Sequence, residues 1–328
     1  MKEFGGYLPI ELNHGKEWFT GDNILRLNCG RTAIVTAIKD AGYKKIHIPV
    51  YLCESVKDVL AKNEISYQFY NLDEQLLPID VNLKENEGIL VVNYFGIFSD
   101  ERLQELSNKY KNVIIDNTQG FFAKPILEVY NVYSCRKFIG VSDGSYLIKD
   151  DIKSVDYEAD KSAYRSSFLL SCIEEGTNGA YQENLKNEEL IGETGLRQMS
   201  SLTQMILSSV NYENISQIRK RNYSILHSLL CELNEFPEAD IEGGQVPMIY
   251  PFLYTGRDIR ADVVRKRIYI SHWWKWISEF PYANEFEKKM AKYLLPLPID
   301  QRYGEKDMFT LAQSLKEILY HIDQRCCS

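Results

Sequence analysis

Positive charge is in short supply in this 328-residue chain: 38 lysines and arginines stand against 46 aspartates and glutamates, for a formal net charge of −8. Non-specific grip on nucleic acid needs a basic surface, so that class is disfavoured. Histidine is also sparse, and His14, His47, His227, His272 and His321 are too dispersed to suggest a metal cluster. The seven cysteines show no CxxC spacing, and Cys326-Cys327 sit at the very tail. Neither a zinc site nor a disulfide framework is predicted, and no metal is expected. No apolar run approaches the roughly 20 residues that span a bilayer. The segment Met1-Lys2-Glu3-Phe4-Gly5-Gly6 lacks the apolar core of a signal peptide, so a reducing cytoplasm away from any membrane is the expected setting. No G-x-G-x-x-G follows a first strand, which counts against a dinucleotide-binding enzyme. Repeats and low-complexity tracts are missing too.

What remains is an ordinary globular composition, 45% hydrophobic and 26% charged. The length suits one large domain and a smaller one. Residues 1–23 read as an irregular arm of the kind that packs on a neighbouring subunit. From residue 24 to 233 the pattern is that of a large α/β domain, and from 234 to 328 that of a smaller α/β unit. In the first, apolar runs at 45–50, 66–70, 88–96, 113–117 and 143–148 read as strands, with helices at 32–41, 55–63 and 100–110 between them. Such alternation gives a mostly parallel sheet. A long helix is expected from Met199 to Leu233, broken near Asn211-Tyr212. In the smaller unit, 246–253 and 268–270 read as strands around a helix at 257–266. Leu295 to Asp300 reads as a rigid connector, and 307–324 as a closing amphipathic helix.

Two stretches organise the rest. Val113-Ile114-Ile115-Asp116-Asn117-Thr118-Gln119 and Ser134-Cys135-Arg136-Lys137-Phe138-Ile139-Gly140 each begin as apolar strands and end in an ionisable side chain. Ligands of open α/β sheets sit beyond the carboxyl ends of the strands. Asp116 and Lys137 would face one crevice there, the minimum equipment for pyridoxal phosphate: an amine to attach it and an acid for its ring nitrogen. The competing reading is a helix cap and a solvated surface lysine. Gly30, Arg31 and Thr32 open a helix after a short apolar run, a place where free amides and the helix dipole suit a phosphate. Asn93-Tyr94-Phe95 closes a strong strand in a polar and aromatic cluster. His272-Trp273-Trp274-Lys275-Trp276 gathers three of the four tryptophans, either as a packing contact or as one wall of a substrate pocket. Tyr94, His272 and Trp273 are the candidate substrate contacts.

With these residues laid out, the chain resembles the DegT/DnrJ family of sugar aminotransferases, in a short and divergent branch. Four landmarks in order carry the resemblance. Asn28 to Ala33 resembles the family's phosphate-binding Ser-Gly-Thr turn, and Pro49 to Cys53 the segment whose aromatic packs near the cofactor ring. Asp116-Asn117-Thr118-Gln119 matches Asp-x-x-Gln, and Arg136 to Gly140 with Asp143-Gly144 resembles the lysine motif and the strand after it.

The resemblance implies a fold-type-I transferase. Its large domain would have a mostly parallel seven-stranded sheet flanked by helices, followed by a smaller C-terminal α/β domain. It implies pyridoxal 5'-phosphate attached to Lys137, paired at its ring nitrogen with Asp116 and flanked by Gln119. Tyr51 would stack on the ring, and Gly30, Arg31, Thr32 and Ser134 would hold the phosphate. It further implies a homodimer moving an amino group, from glutamate, to a keto sugar nucleotide or similar carbonyl compound, in nucleotide-sugar or cell-surface polysaccharide biosynthesis. The chain departs from the family in three places. The lysine loop is one residue shorter before Asp143, and Val132 stands where the family has a serine five residues before the lysine. The Asn-Tyr-Arg-Met loop has become Leu196-Arg197-Gln198-Met199. A non-sugar substrate, another reaction on the same cofactor, or an inactive binding protein on this fold are the alternatives. Keeping Asp116, Gln119 and Lys137 together speaks against the last.

Overall fold

Runs of branched apolar residues separated by amphipathic segments build a seven-stranded sheet, as the resemblance implies. The computed structural model describes residues 4–241 and 244–326. The first three residues of the expected arm, Cys327, and the side chains of His321 and Cys326 lie outside the described residues. In chain order the elements are β1 (Ile24–Leu27), α1 (Gly30–Ala41), β2 (Lys45–Pro49), α2 (Glu54–Lys62), β3 (Ser66–Tyr70), β4 (Glu87–Val92), α3 (Asp100–Lys109), β5 (Val113–Asn117), β6 (Tyr130–Ser134) and β7 (Ser145–Ile148). The strand order is β1-β7-β6-β5-β4-β2-β3. Strands β6, β5, β4, β2 and β3 run parallel, while β7 is antiparallel to both its neighbours.

The parallel strands are covered on both faces, which explains their uninterrupted apolar sequences. Val113, Ile114 and Ile115 of β5 are at most 1% exposed, and each such burial is worth about 1.5–3 kcal/mol. Helix α1 packs across β5, β6 and β7 with Ala33, Ile34, Ala37 and Ile38 inward. It ends at Gly42, whose φ of 70° forms a left-handed cap. Helix α3 starts at Ser99, whose side chain accepts from the Arg102 amide.

After β7 the chain turns helical, with α4 (Ser167–Glu174), α5 (Gly176–Gly179), α6 (Tyr181–Glu193), α7 (Ser201–Ser208) and α8 (Tyr212–Leu230). The expected long helix is indeed broken, and Asn211 caps the restart by accepting from the Asn214 amide. A second, two-stranded sheet pairs β8 (Ile249–Leu253) with β9 (Leu294–Pro298), alongside α9 (Arg260–Arg265), α10 (Glu285–Tyr293) and α11 (Glu305–Cys326). Its apolar cluster joins Tyr250, Phe252, Leu295 and Leu297 to Leu311 and Leu315. It also takes Tyr223, Leu226 and Leu230 from α8, so packing runs across the expected boundary at 233.

The sequence reading needs two corrections here. Residues 268–270 form no ladder, and the partner of β8 is the stretch read as a connector. Its prolines misled. The register pairs Pro251 with Pro296 and Ile249 with Pro298. Alternation then places all three prolines at non-hydrogen-bonded pairs, where a missing N–H costs nothing. The second correction concerns the lysine: β6 ends at Ser134, and Cys135 to Ile139 form a turn in which the Phe138 and Ile139 amides donate to Cys135 O at 3.0 and 2.9 Å.

Candidate active site

The carboxyl ends of β2, β4, β5 and β6 and the start of α1 meet at one place. Asp116, the penultimate residue of β5, is 3% exposed. Its Oδ1 accepts from the Thr118 amide at 2.8 Å, the local turn that a short carboxylate favours. That turn lifts the Thr118 hydroxyl towards β6, where it accepts from Lys137 Nζ at 2.9 Å. Gln119 accepts at Oε1 from the Phe95 amide at 3.0 Å. The Lys137 turn is held by Gly144, whose carbonyl accepts from the Cys135 amide at 3.1 Å, and the preceding Asp143, fully buried, accepts from the Ser200 amide and hydroxyl at 2.8 and 2.7 Å.

These residues enclose a cavity of about 190 Å³, lined by Asp116, Thr118, Gln119, Ser134 and Lys137 on the sheet side, by Gly30 and Arg31 of α1, and by Arg136, Glu188 and Trp274. The start of α1 has no side-chain cap and no acid in its first turn, so its amides and dipole face the cavity uncompensated. Gly30 lies close against the loop: a Cβ there would be 3.0 Å from Thr118 Cγ2 and would press on that side chain. A second cavity of about 500 Å³ opens beside the first, sharing Cys53, Gln119, Lys137, Glu188 and Trp274. Its other walls include Met248, Ile249, Tyr269, Trp273, Arg219 and Asp300. Lys137 thus stands at the junction of a polar pocket and a largely apolar vestibule.

Lys137 is exposed, and its accessible surface opens into this junction between the walls of the two cavities. Desolvation by those walls pulls its ammonium below the ordinary lysine range, against the opposing pull of the Asp116 carboxylate. Arg136 does not lie on an extended strand; its side chain ion-pairs with Glu188 of α6 at the cavity mouth.

Of the residues expected from sequence, the structure gathers Gly30, Arg31, Asp116, Gln119, Ser134 and Lys137 around the first cavity and Trp273 in the vestibule, where it stacks on Phe95 at 6.0 Å. It does not bring the others there. Thr32, 1% exposed, donates its hydroxyl to Asn28 Oδ1 at 2.6 Å and braces the turn. Tyr51 is fully buried with its ring 4.6 Å from Trp274, so the cavity meets Trp274 in its place. Tyr94, equally buried, donates to Tyr51 O at 2.6 Å and belongs to the core. His272 contacts Ala291 O through Nε2 at 3.0 Å and faces α10.

Thr118, Glu188 and Arg219 were not among the residues expected from the sequence, whereas Trp274 belongs to the tryptophan cluster read as a packing contact or a pocket wall. Trp274 carries one signal only in the structure: φ 50° and ψ 47°, left-handed for a bulky residue, a conformation costing about 1–3 kcal/mol and frequent at functional sites.

No protein-family model and no curated protein matches the sequence. Solved structures do match. The sugar aminotransferase CalS13 of Micromonospora echinospora superposes with a TM-score of 0.64 at 14% identity, over 90% of this chain and 87% of that one. DesI, solved in the presence of its TDP-sugar product, gives 0.62 at 12% identity over 93% and 83%. The ntda protein of Bacillus subtilis, with bound cofactor PMP, gives 0.59 at 14% over 90% and 73%. At such identities the likeness is one of architecture: the chain has the fold of the sugar aminotransferases.

Proposed function

We propose that the protein is a pyridoxal-phosphate-dependent aminotransferase that works as a homodimer. In this reading it moves an amino group from glutamate to a keto sugar nucleotide or a related carbonyl compound. One observation carries the reading: a lysine amine, a buried carboxylate and an uncapped helix start share one small cavity. That set of donors fits the cofactor. Lys137 is the point of attachment, Asp116 the partner of the ring nitrogen, and Gln119 a neighbour of the ring. The α1 amides, Arg31 and Ser134 suit the phosphate. Trp274 supplies the flat wall that Tyr51 does not.

Pyridoxal phosphate bound there supplies an electrophilic carbon for amine exchange and a ring able to take up carbanion charge. The protein's part is to place and move protons. Lys137, with its charge destabilised by desolvation, is free to act as nucleophile and then as proton carrier at Nζ. The Thr118 hydroxyl aims that nitrogen into the cavity. The Asp116 carboxylate, held by the Thr118 amide, keeps a fixed negative charge opposite. The vestibule offers the second substrate largely apolar walls. The likeness to CalS13, a sugar aminotransferase, and to DesI, solved with its TDP-sugar product, supports a sugar acceptor. The second apolar cluster, built mainly from β8, β9 and α11, supports reading residues 234–328 as a smaller unit that forms one wall of the vestibule.

The test is a half-reaction. Protein loaded with pyridoxal phosphate and mixed with glutamate should release 2-oxoglutarate in stoichiometric amount and leave the cofactor as its amine. Loaded protein that releases none with any amino acid offered is not an aminotransferase.

A further inference from the structure

A further cavity, of about 330 Å³, adjoins the vestibule through Tyr269 and Pro298, which line both. Its walls come from the end of α9, the turn after β9 and the first three turns of α11. They carry three cations, Lys266, Arg267 and Arg302, against one carboxylate, Asp307. Arg302 is committed: it grips both oxygens of Asp300 at 2.7 and 2.9 Å and donates to Thr177 Oγ1 at 3.2 Å. Asp307 is turned to its own helix start, accepting from the Gly304 amide at 2.7 Å. Lys266 pairs with Glu317 at 2.9 Å, but the two side chains are 46% and 44% exposed, so the pair is weak and exchangeable. Among the described residues, the Arg267 side chain has no hydrogen-bond or ion-pair partner.

The backbone shows that this arginine does not serve the fold. Helix α9 stops with two nested bonds, from the Arg267 amide to Val264 O at 2.9 Å and from the Ile268 amide to Val263 O at 3.2 Å. That stop puts one residue in the left-handed conformation, and the residue is Arg267, with φ 61°. Glycine adopts it freely, whereas arginine is strained there. Arg265 and Lys266 already place positive charge at this end of the helix. Glycine would therefore serve the fold better, and strain kept for a side chain marks a task outside the fold. A guanidinium fork beside an ammonium that can leave a weak pair is a donor set for phosphate. A carboxylate would be satisfied by the fork alone; a phosphate dianion takes both charges.

We propose that this cavity is a phosphate subsite, in which Arg267 and Lys266 hold the phosphate group of a small molecule next to the vestibule. The phosphate is either the far end of the acceptor, lying along Tyr269, or a free anion. Its assignment to the acceptor rests on the aminotransferase reading; the subsite itself does not.

The experiment is calorimetric titration of inorganic phosphate into the full chain, with and without pyridoxal phosphate, with sodium chloride at matched ionic strength as control. Wild type, Arg267→Gly and Lys266→Gln are compared. Because glycine suits the left-handed position, Arg267→Gly should unfold in urea at a midpoint equal to or above that of wild type. Its phosphate affinity should nevertheless fall about tenfold, and that of Lys266→Gln about threefold, in line with the loss of charge-assisted bonds. In the cofactor-free chain the start of α1 adds a second phosphate site, which Arg267→Gly leaves untouched. Failure of loaded wild type to bind phosphate, equal affinity in Arg267→Gly, or a urea midpoint of that variant below wild type overturns the proposal. Glucose 1-phosphate identifies the source. If the phosphate belongs to a substrate that reaches the vestibule, glucose 1-phosphate binds more tightly than inorganic phosphate, and Trp273→Ala weakens the sugar phosphate alone. If it is a free anion, the two bind alike and Trp273→Ala changes neither. The borohydride-sensitive absorbance of the same samples keeps the two claims apart. Arg267-dependent binding without that absorbance leaves the subsite standing and removes the enzyme reading, and the absorbance with Arg267-independent binding does the reverse.

Discussion

Lys137 Nζ donates to Thr118 Oγ1 at 2.9 Å, and the amide of the same threonine is held at 2.8 Å by Asp116. A single residue thus ties the amine of one loop to the carboxylate of another. Because both loops leave the ends of neighbouring parallel strands, β5 and β6, the sheet register sets their separation.

Asp116→Asn should leave the fold intact, since an amide oxygen can still accept from Thr118. It removes the fixed negative charge. We expect amino-transfer turnover to fall about 10²–10³-fold, the usual loss for a preorganised electrostatic partner, with the melting temperature nearly unchanged. A variant with wild-type turnover would remove Asp116 from the site.

The lowered pKa of Lys137 gives a pH dependence with a definite sign. The neutral amine is the nucleophile, and desolvation favours it, so cofactor loading should speed up as pH rises. The rate should level off below the ordinary lysine value of about 10.4. Stopped-flow loading of cofactor-free protein across the alkaline range measures this; a midpoint at or above the ordinary value would show that the amine is solvated.

Gly96 follows β4 with φ 71°, and a Cβ there would lie 2.5 Å from Gln119 O and 3.1 Å from Gly120 Cα. Both obstacles are backbone and cannot swing aside. Gly96→Ala should cost about 2–4 kcal/mol, read as a lower urea midpoint. It should also weaken cofactor retention, because the strained segment carries Gln119.

Leu297 is fully buried on β9. If that stretch is a strand packed in the second cluster, Leu297→Ala should cost about 2–5 kcal/mol. A loss under half a kilocalorie in a urea titration would fit an exposed connector instead.

Much of this was legible in the sequence, for identifiable reasons. Buried parallel strands are continuous apolar runs, so 45–49, 88–92 and 113–117 stand out, and the carboxyl-end rule then places Asp116 and Lys137 together. β9 was hidden because proline normally argues against a strand, and only the pairing register shows that Pro251, Pro296 and Pro298 avoid the ladder. The turn at 135–139 was hidden by a composition that suits a strand equally well. Glu188 and Arg219 reach the site from about 50 and 80 residues beyond Lys137 in sequence. No local pattern separates Glu188 from the other acids of α6, or Arg219 from the basic face of α8. Tyr51 shows the converse. Its position after β2 is right for a ring partner, but Trp274 packs between it and the cavity.

The most direct test of the central claim is borohydride reduction of protein loaded with pyridoxal phosphate, followed by peptide mass spectrometry. A visible absorption band that borohydride bleaches is expected, with a pyridoxyl group fixed on the peptide containing Lys137. Lys137→Ala should show neither band nor label. A pyridoxyl label on some other lysine, or an unchanged band in Lys137→Ala, would contradict it.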